Sequence, residues 1–175
     1  MSDFYSYLQH SGNQTHFNCP KCKTKTLLHH YQQVELFACT CETIYWTKEF
    51  HRYQHLNNHF GYRGQKLKIG SQGEFEGKTY TVIGVAHKKE LGNQFAKWTE
   101  FVLIDQNKNI SFLNCSYGNY TWMYISDRIK AVDFITNIDD YIEVDGIEYE
   151  LFSSYKQSTE AIRGEFHYNP VNIKK

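Results

Sequence analysis

Four of the five cysteines in this chain of 175 residues form two close pairs, Cys19/Cys22 and Cys39/Cys41. Two short cysteine turns brought together by a hairpin can place four thiolates at the corners of a tetrahedron, the arrangement of structural zinc sites. The first pair has the usual two-residue spacer. The second pair has a single spacer residue, which tightens the geometry without preventing both sulfurs from reaching one ion. The pairs therefore predict a zinc-ribbon-like segment over residues 1–47, with these four cysteines as the ligands.

Disulfide bonds are the competing use of paired cysteines, and they are typical of small secreted domains. The N-terminal sequence MSDFYSYLQHSG lacks the basic region and apolar run of a secretory signal, and the fifth cysteine leaves an odd number. No window approaches the length of a membrane span, about 18 apolar residues. We therefore expect a cytoplasmic protein without a membrane span, in which reduced cysteines favour the metal site.

The predicted zinc ion is structural and not catalytic, because four thiolates close the coordination shell and leave no position for a reacting water. His16, His29 and His30 lie close enough in sequence to replace a ligand, but the cysteines already supply four. A segment of about 30 residues buries too little surface to fold alone, so the metal is expected to supply its folding free energy.

After residue 66 the sequence changes to short apolar alternations separated by turns. Aromatic residues, which favour strands, make up 17% of the chain. Residues 98–104, 110–115 and 120–125 predict a three-stranded meander, and Gly77 and Asp145-Gly146 mark hairpin turns. Residues 129–138 continue the strand pattern, and residues 159–170 predict one more strand.

The predicted fold class is mainly β, with an N-terminal zinc ribbon followed by a small all-β barrel or sandwich of meandering hairpins. The β domain is expected over residues 67–175, with a core at 67–125 and further hairpin strands at 129–167. A polar linker, residues 48–66, joins it to the ribbon.

Three histidines and the fifth cysteine are further candidate site residues. His51, His55 and His59 recur at every fourth position and would share one face of a helix, but the surrounding polar, glycine-containing sequence favours a linker. Cys115 lies at the end of a predicted strand, where a small buried residue is a simpler interpretation than a nucleophile.

Several short motifs carry a family resemblance. They are Ile69-Gly70, Gly73, Gly77, Tyr80-Thr81-Val82-Ile83-Gly84, Trp98-Thr99-Glu100-Phe101-Val102-Leu103 and Arg163-Gly164-Glu165-Phe166. Together they resemble the DUF4178 family of bacterial proteins, some of which have a cysteine-pair ribbon ahead of the domain. No activity is assigned to that family, so the resemblance implies a domain and not a reaction. It also implies that the chain can be the front part of a longer protein.

Trp98 and Glu100 are the candidate functional residues of this segment. They lie two positions apart and therefore share one face of the predicted strand. A carboxylate beside a core tryptophan needs a partner or an opening to solvent. The alternative for Glu100 is a bond to neighbouring backbone or to a lysine.

The expected function is that of a non-catalytic binding or adaptor module whose partner is another protein. Basic and acidic residues balance at 19 each, so no net charge would steer the chain to nucleic acid. Nucleic-acid binding through Lys21, Lys23 and Lys25, beside the first cysteine pair, is the alternative. An enzyme of unknown reaction, using Glu100 or Cys115, is the second alternative.

Overall fold

The computed structural model describes residues 4–47, 52–53, 66–93, 95–125, 141–144, 146–150 and 156–171. These residues form one short 3-10 helix, Phe4–Tyr7, and strands that pair only in antiparallel fashion. The strands are β1 Leu8–Ser11, β2 Gln14–Asn18, β3 Lys25–Leu28, β4 Leu36–Ala38, β5 Ile44–Trp46, β6 Arg52–Tyr53, β7 Gln72–Phe75, β8 Lys78–Glu90, β9 Lys97–Asp105, β10 Ile110–Ser116, β11 Asn119–Tyr124, β12 Tyr141–Val144, β13 Ile147–Glu150 and β14 Gln157–Phe166. The predicted mainly-β class is confirmed.

Most strands belong to one large open sheet. Its order is β11-β10-β9-β8-β14-β4-β5-β6, and β7 pairs with β8 beside this path. Strands β1, β2 and β3 form a separate small sheet, and β12 and β13 form a hairpin. The described strands do not close into the predicted barrel, because β14 lies between β8 and β4 and extends the sheet toward the cysteine segment.

The local predictions for strands and turns are confirmed where the structure describes them. The three-stranded meander is present as β9, β10 and β11. Glu76 and Gly77, with φ of 50° and 72°, form the two-residue turn between β7 and β8. The hairpin predicted around Gly146 is β12–β13. The strands predicted at 129–138 and the histidines at 51, 55 and 59 lie outside the described residues.

Sheet hydrogen bonds cross the boundary predicted between the cysteine segment and the β domain. Strand β4 pairs with β14, with Leu36 opposite Phe166 and Ala38 opposite Gly164. Ahead of β4, residues 31–33 form a turn. Within the predicted linker, β6 pairs with β5.

The two faces of the sheet carry different apolar clusters. Leu36, Ala38, Ile83, Val102 and Phe166 belong to a cluster on one face. The alternate residues of the same strands point to the opposite face, where one cluster surrounds the cysteines and another lies under β7 to β11. No helix in the described part of the chain is long and apolar enough to cross a membrane.

Glu165 on β14 links the cysteine segment to the sheet through hydrogen bonds. Its carboxylate is 2% exposed and accepts hydrogen bonds from the backbone N–H of His29, at 2.8 Å, and of His30, at 3.2 Å. Lys108 donates to the carbonyl oxygen of His29 at 3.0 Å. Burial raises the pKa of Glu165 to about 7, although the two N–H groups and Lys108 oppose that change.

The substitution Glu165→Gln tests this buried carboxylate. The pKa of about 7 in the folded protein lies above the ordinary value of 4.5, so the stabilising contribution is complete below pH 4.5 and is lost as the pH rises through 7. Relative to the variant, the native protein should lose up to about 3 kcal/mol of unfolding free energy across this window. Urea denaturation of both proteins at several pH values measures the difference.

Comparing the two proteins cancels the titration of the nearby histidines, which both contain. The exposed Glu76 provides a control, since Glu76→Gln should leave the pH profile of stability unchanged. A constant difference between native and Glu165→Gln proteins at all pH values would contradict the account.

Candidate metal centre

The two cysteine pairs lie at two turns of similar construction. The first turn joins β2 to β3, where Cys19 N–H donates to Thr24 C=O at 3.0 Å and Lys23 N–H donates to Cys19 C=O at 2.8 Å. The second joins β4 to β5, where Cys39 N–H donates to Thr43 C=O at 2.9 Å and Glu42 N–H to Cys39 C=O at 3.0 Å. The second turn thus keeps the same pattern of bonds with one residue fewer.

Both turns end in a left-handed residue. Lys23 has φ of 63° and Glu42 has φ of 64°, although neither is a glycine. Such a conformation costs about 1–2 kcal/mol for an L-residue, so the surrounding bonds must hold it in place. This conformation lies where the chain turns back after each cysteine pair.

The four sulfur atoms converge. All of them lie within 4.8 Å of one another, and the four cysteines could hold a metal ion. The short distances run between the turns, with Cys19 Sγ 3.7 Å from Cys41 Sγ and Cys22 Sγ 3.6 Å from Cys39 Sγ. All are free thiols, so the disulfide alternative is absent from this structure. Cys19 and Cys39 are buried, whereas Cys22 is exposed.

Hydroxyl groups surround the sulfurs. The phenol oxygen of Tyr45 lies 3.0 Å from Cys19 Sγ, and the hydroxyls of Thr24 and Thr43 lie 3.2 and 3.3 Å from the sulfurs of Cys22 and Cys41. A hydroxyl can donate a hydrogen bond to a thiolate and so stabilise its charge. Sequence reasoning missed these groups, although the repeated pattern Cys-x-Thr at the end of both turns is a signal that could have found them.

The surroundings lower the pKa of one cysteine of the site and raise the pKa of another. Burial acts to raise the pKa of Cys22, but hydrogen bonds with Thr24 and the neighbouring thiols outweigh it and lower the pKa to about 6. Burial raises the pKa of Cys39. Burial and the bond to Cys19 raise the pKa of Tyr45, which keeps the phenol protonated as a donor.

Aromatic rings pack together beside the cysteine cluster. Phe17 packs against Phe37 and Tyr45, each with ring centroids 4.9 Å away, and stacks on Phe4 at 4.8 Å. Phe17, Phe37 and Tyr45 are almost completely buried. The cysteine turns therefore rest on a small apolar core of their own, which includes Cys19 and Cys39.

The other residues singled out in the N-terminal segment lie apart from the sulfurs. Lys21, Lys23 and Lys25 are exposed along the first turn. His16, His29 and His30 do not belong to the group of converging ligands, and the backbone of the last two binds Glu165.

Glu100 and Trp98 lie on β9, far from the cysteines in the sheet order. Glu100 is buried and forms an ion pair with Lys88 of β8, with Nζ–Oε1 and Nζ–Oε2 distances of 2.8 and 2.9 Å. The Tyr168 hydroxyl donates to the same carboxylate, and the Lys88 ammonium lies 5.3 Å from the centre of the Tyr168 ring. Trp98 is half-buried and lies opposite Lys88 in the register of the two strands.

Cys115 is half-buried on β10, on the face of the sheet opposite Glu100. Its cross-strand neighbour is Tyr120 of β11. A hydrogen bond with Cys115 raises the pKa of Tyr120, and burial adds to that change.

Comparison with known proteins places the β part of the chain in a family. No curated protein and no solved structure matches the chain. The sequence model of a domain of unknown function, DUF4178, matches residues 68–172, which is more than half of the chain. The matched range includes β7 to β14 with Glu100 and Glu165, and the four converging cysteines lie before it. The chain therefore belongs to the DUF4178 family.

Proposed function

We propose that the four cysteines bind a zinc ion that folds the N-terminal segment. Four sulfurs arranged tetrahedrally around zinc, with Zn–S bonds of about 2.3 Å, lie about 3.8 Å from one another. The distances of 3.6 and 3.7 Å between the two turns are close to that value. Soft thiolate donors select zinc over magnesium or calcium, which take oxygen ligands.

The role of this ion is structural. With four thiolates bound, no coordination position remains for substrate or water. The strands on either side of the second turn, β4 and β5, have three residues each. Besides the pairing of β4 with β14, they rest on the sulfur cluster and the Phe17 core. The metal thus replaces the apolar surface that so short a segment lacks.

Metal analysis and two kinds of perturbation test the zinc proposal. The purified chain should contain about one zinc per molecule. Cys19→Ser or Cys39→Ser should abolish zinc binding and remove hydrogen-exchange protection from β2, β4 and β5, whereas Cys115→Ser should leave both unchanged. Chelation of the native protein should cause the same loss, and added zinc should reverse it. Reduced, metal-free protein with full protection in β2, β4 and β5 would refute the proposal.

We also propose that the chain is a non-catalytic module that binds another protein. The observation that carries this proposal is a series of exposed aromatic residues along the edge strand β11 and beside the turn that precedes it. Phe95, Tyr117 and Tyr124 are 76%, 78% and 70% exposed, and the Tyr117 hydroxyl donates to the carbonyl oxygen of Phe95. Aromatic residues are enriched at protein interfaces, and the surfaces of monomers rarely expose them in groups.

Site-specific photo-cross-linking in cells tests the protein-binding proposal. A benzophenone amino acid at position 117 or 124 should give a discrete cross-linked product with the partner. The same group at position 27 provides the control, since Leu27 is exposed on β3 beside the cysteine turns and lies near β4 and β14. Equal products from all three positions, or none from 117 and 124, would count against this surface.

Nucleic-acid binding is the second candidate, and it is favoured by the exposure of Lys21 and Lys23 on the first turn and of Lys25 at the start of β3. Contacts between lysines and phosphates weaken steeply with salt, with a log–log slope of about −0.7 for each phosphate neutralised on a single strand. If the lysines bind oligonucleotides, replacing all three by glutamine should reduce both affinity and slope, and Lys66→Gln should not. Absence of binding at low salt would eliminate this candidate.

A further inference from the structure

Strand β11 is an edge of the large sheet, and the side of its main chain away from β10 is unpaired among the described residues. A two-residue turn with positive φ at both positions joins β10 to β11 between the paired residues Ser116 and Asn119. The pair that flanks such a turn is hydrogen-bonded, and hydrogen-bonded pairs alternate with non-bonded pairs along the ladder. The N–H and C=O groups that point away from β10 are therefore those of Tyr120, Trp122 and Tyr124.

The length and composition of β11 distinguish it from the other edges of this sheet. Strand β11 has six residues, whereas β6, at the opposite end, has two, and β7, which pairs only with β8, has four. Each of these shorter strands contains a charged residue, Arg52 and Glu74, but no charged residue occurs between positions 110 and 125. Proteins usually protect exposed edges with short strands, charged side chains or proline. Because β11 has none of these devices, we expect another chain to cover it.

The side chains of β11 add an aromatic surface to this edge. Tyr120 and Tyr124 are 51% and 70% exposed, and Trp122 lies between them on the same face of the sheet. On that face Tyr120 and Trp122 line an apolar cleft of about 330 Å³. Phe75 stacks on Trp122 with ring centroids 4.5 Å apart, and Tyr80 meets it edge-on at 4.7 Å, so the indole is held in place. A strand that pairs with β11 would meet a row of aromatic side chains beside this cleft.

The absence of charge indicates which partner fits the edge. A partner recognised by its charge would need an acid or a base on β11, and residues 110–125 contain neither. A second copy of the chain brings an equally uncharged and aromatic strand. The formal net charge of the whole chain is zero at pH 7, so two copies approach without net repulsion. The edge is therefore best matched by itself.

We infer that two copies of the chain associate through their β11 strands, which pair antiparallel about a two-fold axis beside Trp122. In this register Trp122 of one copy lies opposite Trp122 of the other, and Tyr120 of each copy lies opposite Tyr124 of the other. All three residues have outward main-chain groups, so each pair exchanges two N–H···O bonds. This inference rests on the proposed protein-binding function and identifies the partner.

The pairing would also extend the wall of the cleft. Residues that lie opposite each other on paired strands project on the same face, so Tyr124 of the second copy would lie beside Tyr120, which lines the cleft. The two-fold axis repeats this contact at the other cleft. Each copy therefore contributes a tyrosine to the cleft of the other.

Sedimentation velocity of the full chain at several concentrations tests the association. A contact made by one strand is small for a protein interface, so we expect a dissociation constant in the micromolar range. The mass should rise with concentration from that of one chain, 20.8 kDa, to twice that value. Leu27→Lys, at an exposed position of β3, provides a control and should not change the dissociation constant.

Charged substitutions on β11 test the register. Tyr120→Glu or Tyr124→Lys alone should raise the dissociation constant about tenfold, because each removes one ring from both Tyr120–Tyr124 pairs. The double variant places a glutamate opposite a lysine in both pairs, so at low salt it should bind about fivefold more tightly than either single variant. High salt should remove this recovery. Both tyrosines are exposed, and unchanged hydrogen-exchange protection of β8 and β9 would verify that each variant retains the fold.

A chain that stays monomeric up to about 100 μM would overturn the inference. A double variant that binds no more tightly than the single variants would also overturn it, because the two tyrosines would then not face each other. Cross-linking in cells from position 124 separates these failures from failure of the proposed function. A product with twice the mass of the chain supports the second copy. A product of another mass, with a monomeric chain, leaves protein binding intact and refutes the second copy, and absence of a product counts against both.

Discussion

The structure depends on the position of one strand, β14, between β8 and β4. Through its two edges it joins the cysteine segment to the family domain in a single sheet. The short strands β4 and β5 could not form a stable sheet alone, because isolated two-stranded pairs are marginal in water. The Glu165 carboxylate strengthens the same junction by holding the backbone N–H groups of His29 and His30.

The motif Arg163-Gly164-Glu165-Phe166 can be understood from this junction. Gly164 has φ of 94°, and a β-carbon there would overlap the carbonyl oxygen of Ile83 and crowd the Ile69 side chain. Only glycine meets both conditions, positive φ and close approach to a neighbouring strand. Phe166 is fully buried in the cluster on the other face of the sheet. Gly164 thus allows close approach of the neighbouring backbone, Glu165 binds the N-terminal segment, and Phe166 packs in the core.

The sequence predicted the features whose causes are local. The hairpins could be located because a turn such as Glu76-Gly77 sits between alternating runs, and the four converging cysteines because their spacing is short. The role of Glu165 could not be predicted, since its partner His29 is 136 residues away and nothing in the strand pattern marks that acid as buried. The pairing of Glu100 with Lys88 likewise depends on the register between two strands, which the sequence leaves open. The sequence did not reveal the apolar cleft that Phe75, Tyr80 and Trp122 line beside β11, because strand-spaced aromatic residues indicate a core as readily as a binding surface.

The register also relates the metal centre to the cleft. Residues that are paired across strands, or two apart on one strand, share a face of the sheet. Such steps lead from β4 beside the cysteines to β11 beside the cleft, through Phe37, Glu165, Arg163, Val85, Phe101, Leu113 and Trp122. The two sites therefore occupy opposite ends of one face. A metal at the cysteines would act on the cleft only through the sheet, by fixing β4 against β14 and so supporting β8, which carries Tyr80 and Val82. This separation is consistent with a metal that stabilises the fold and leaves recognition to the aromatic end.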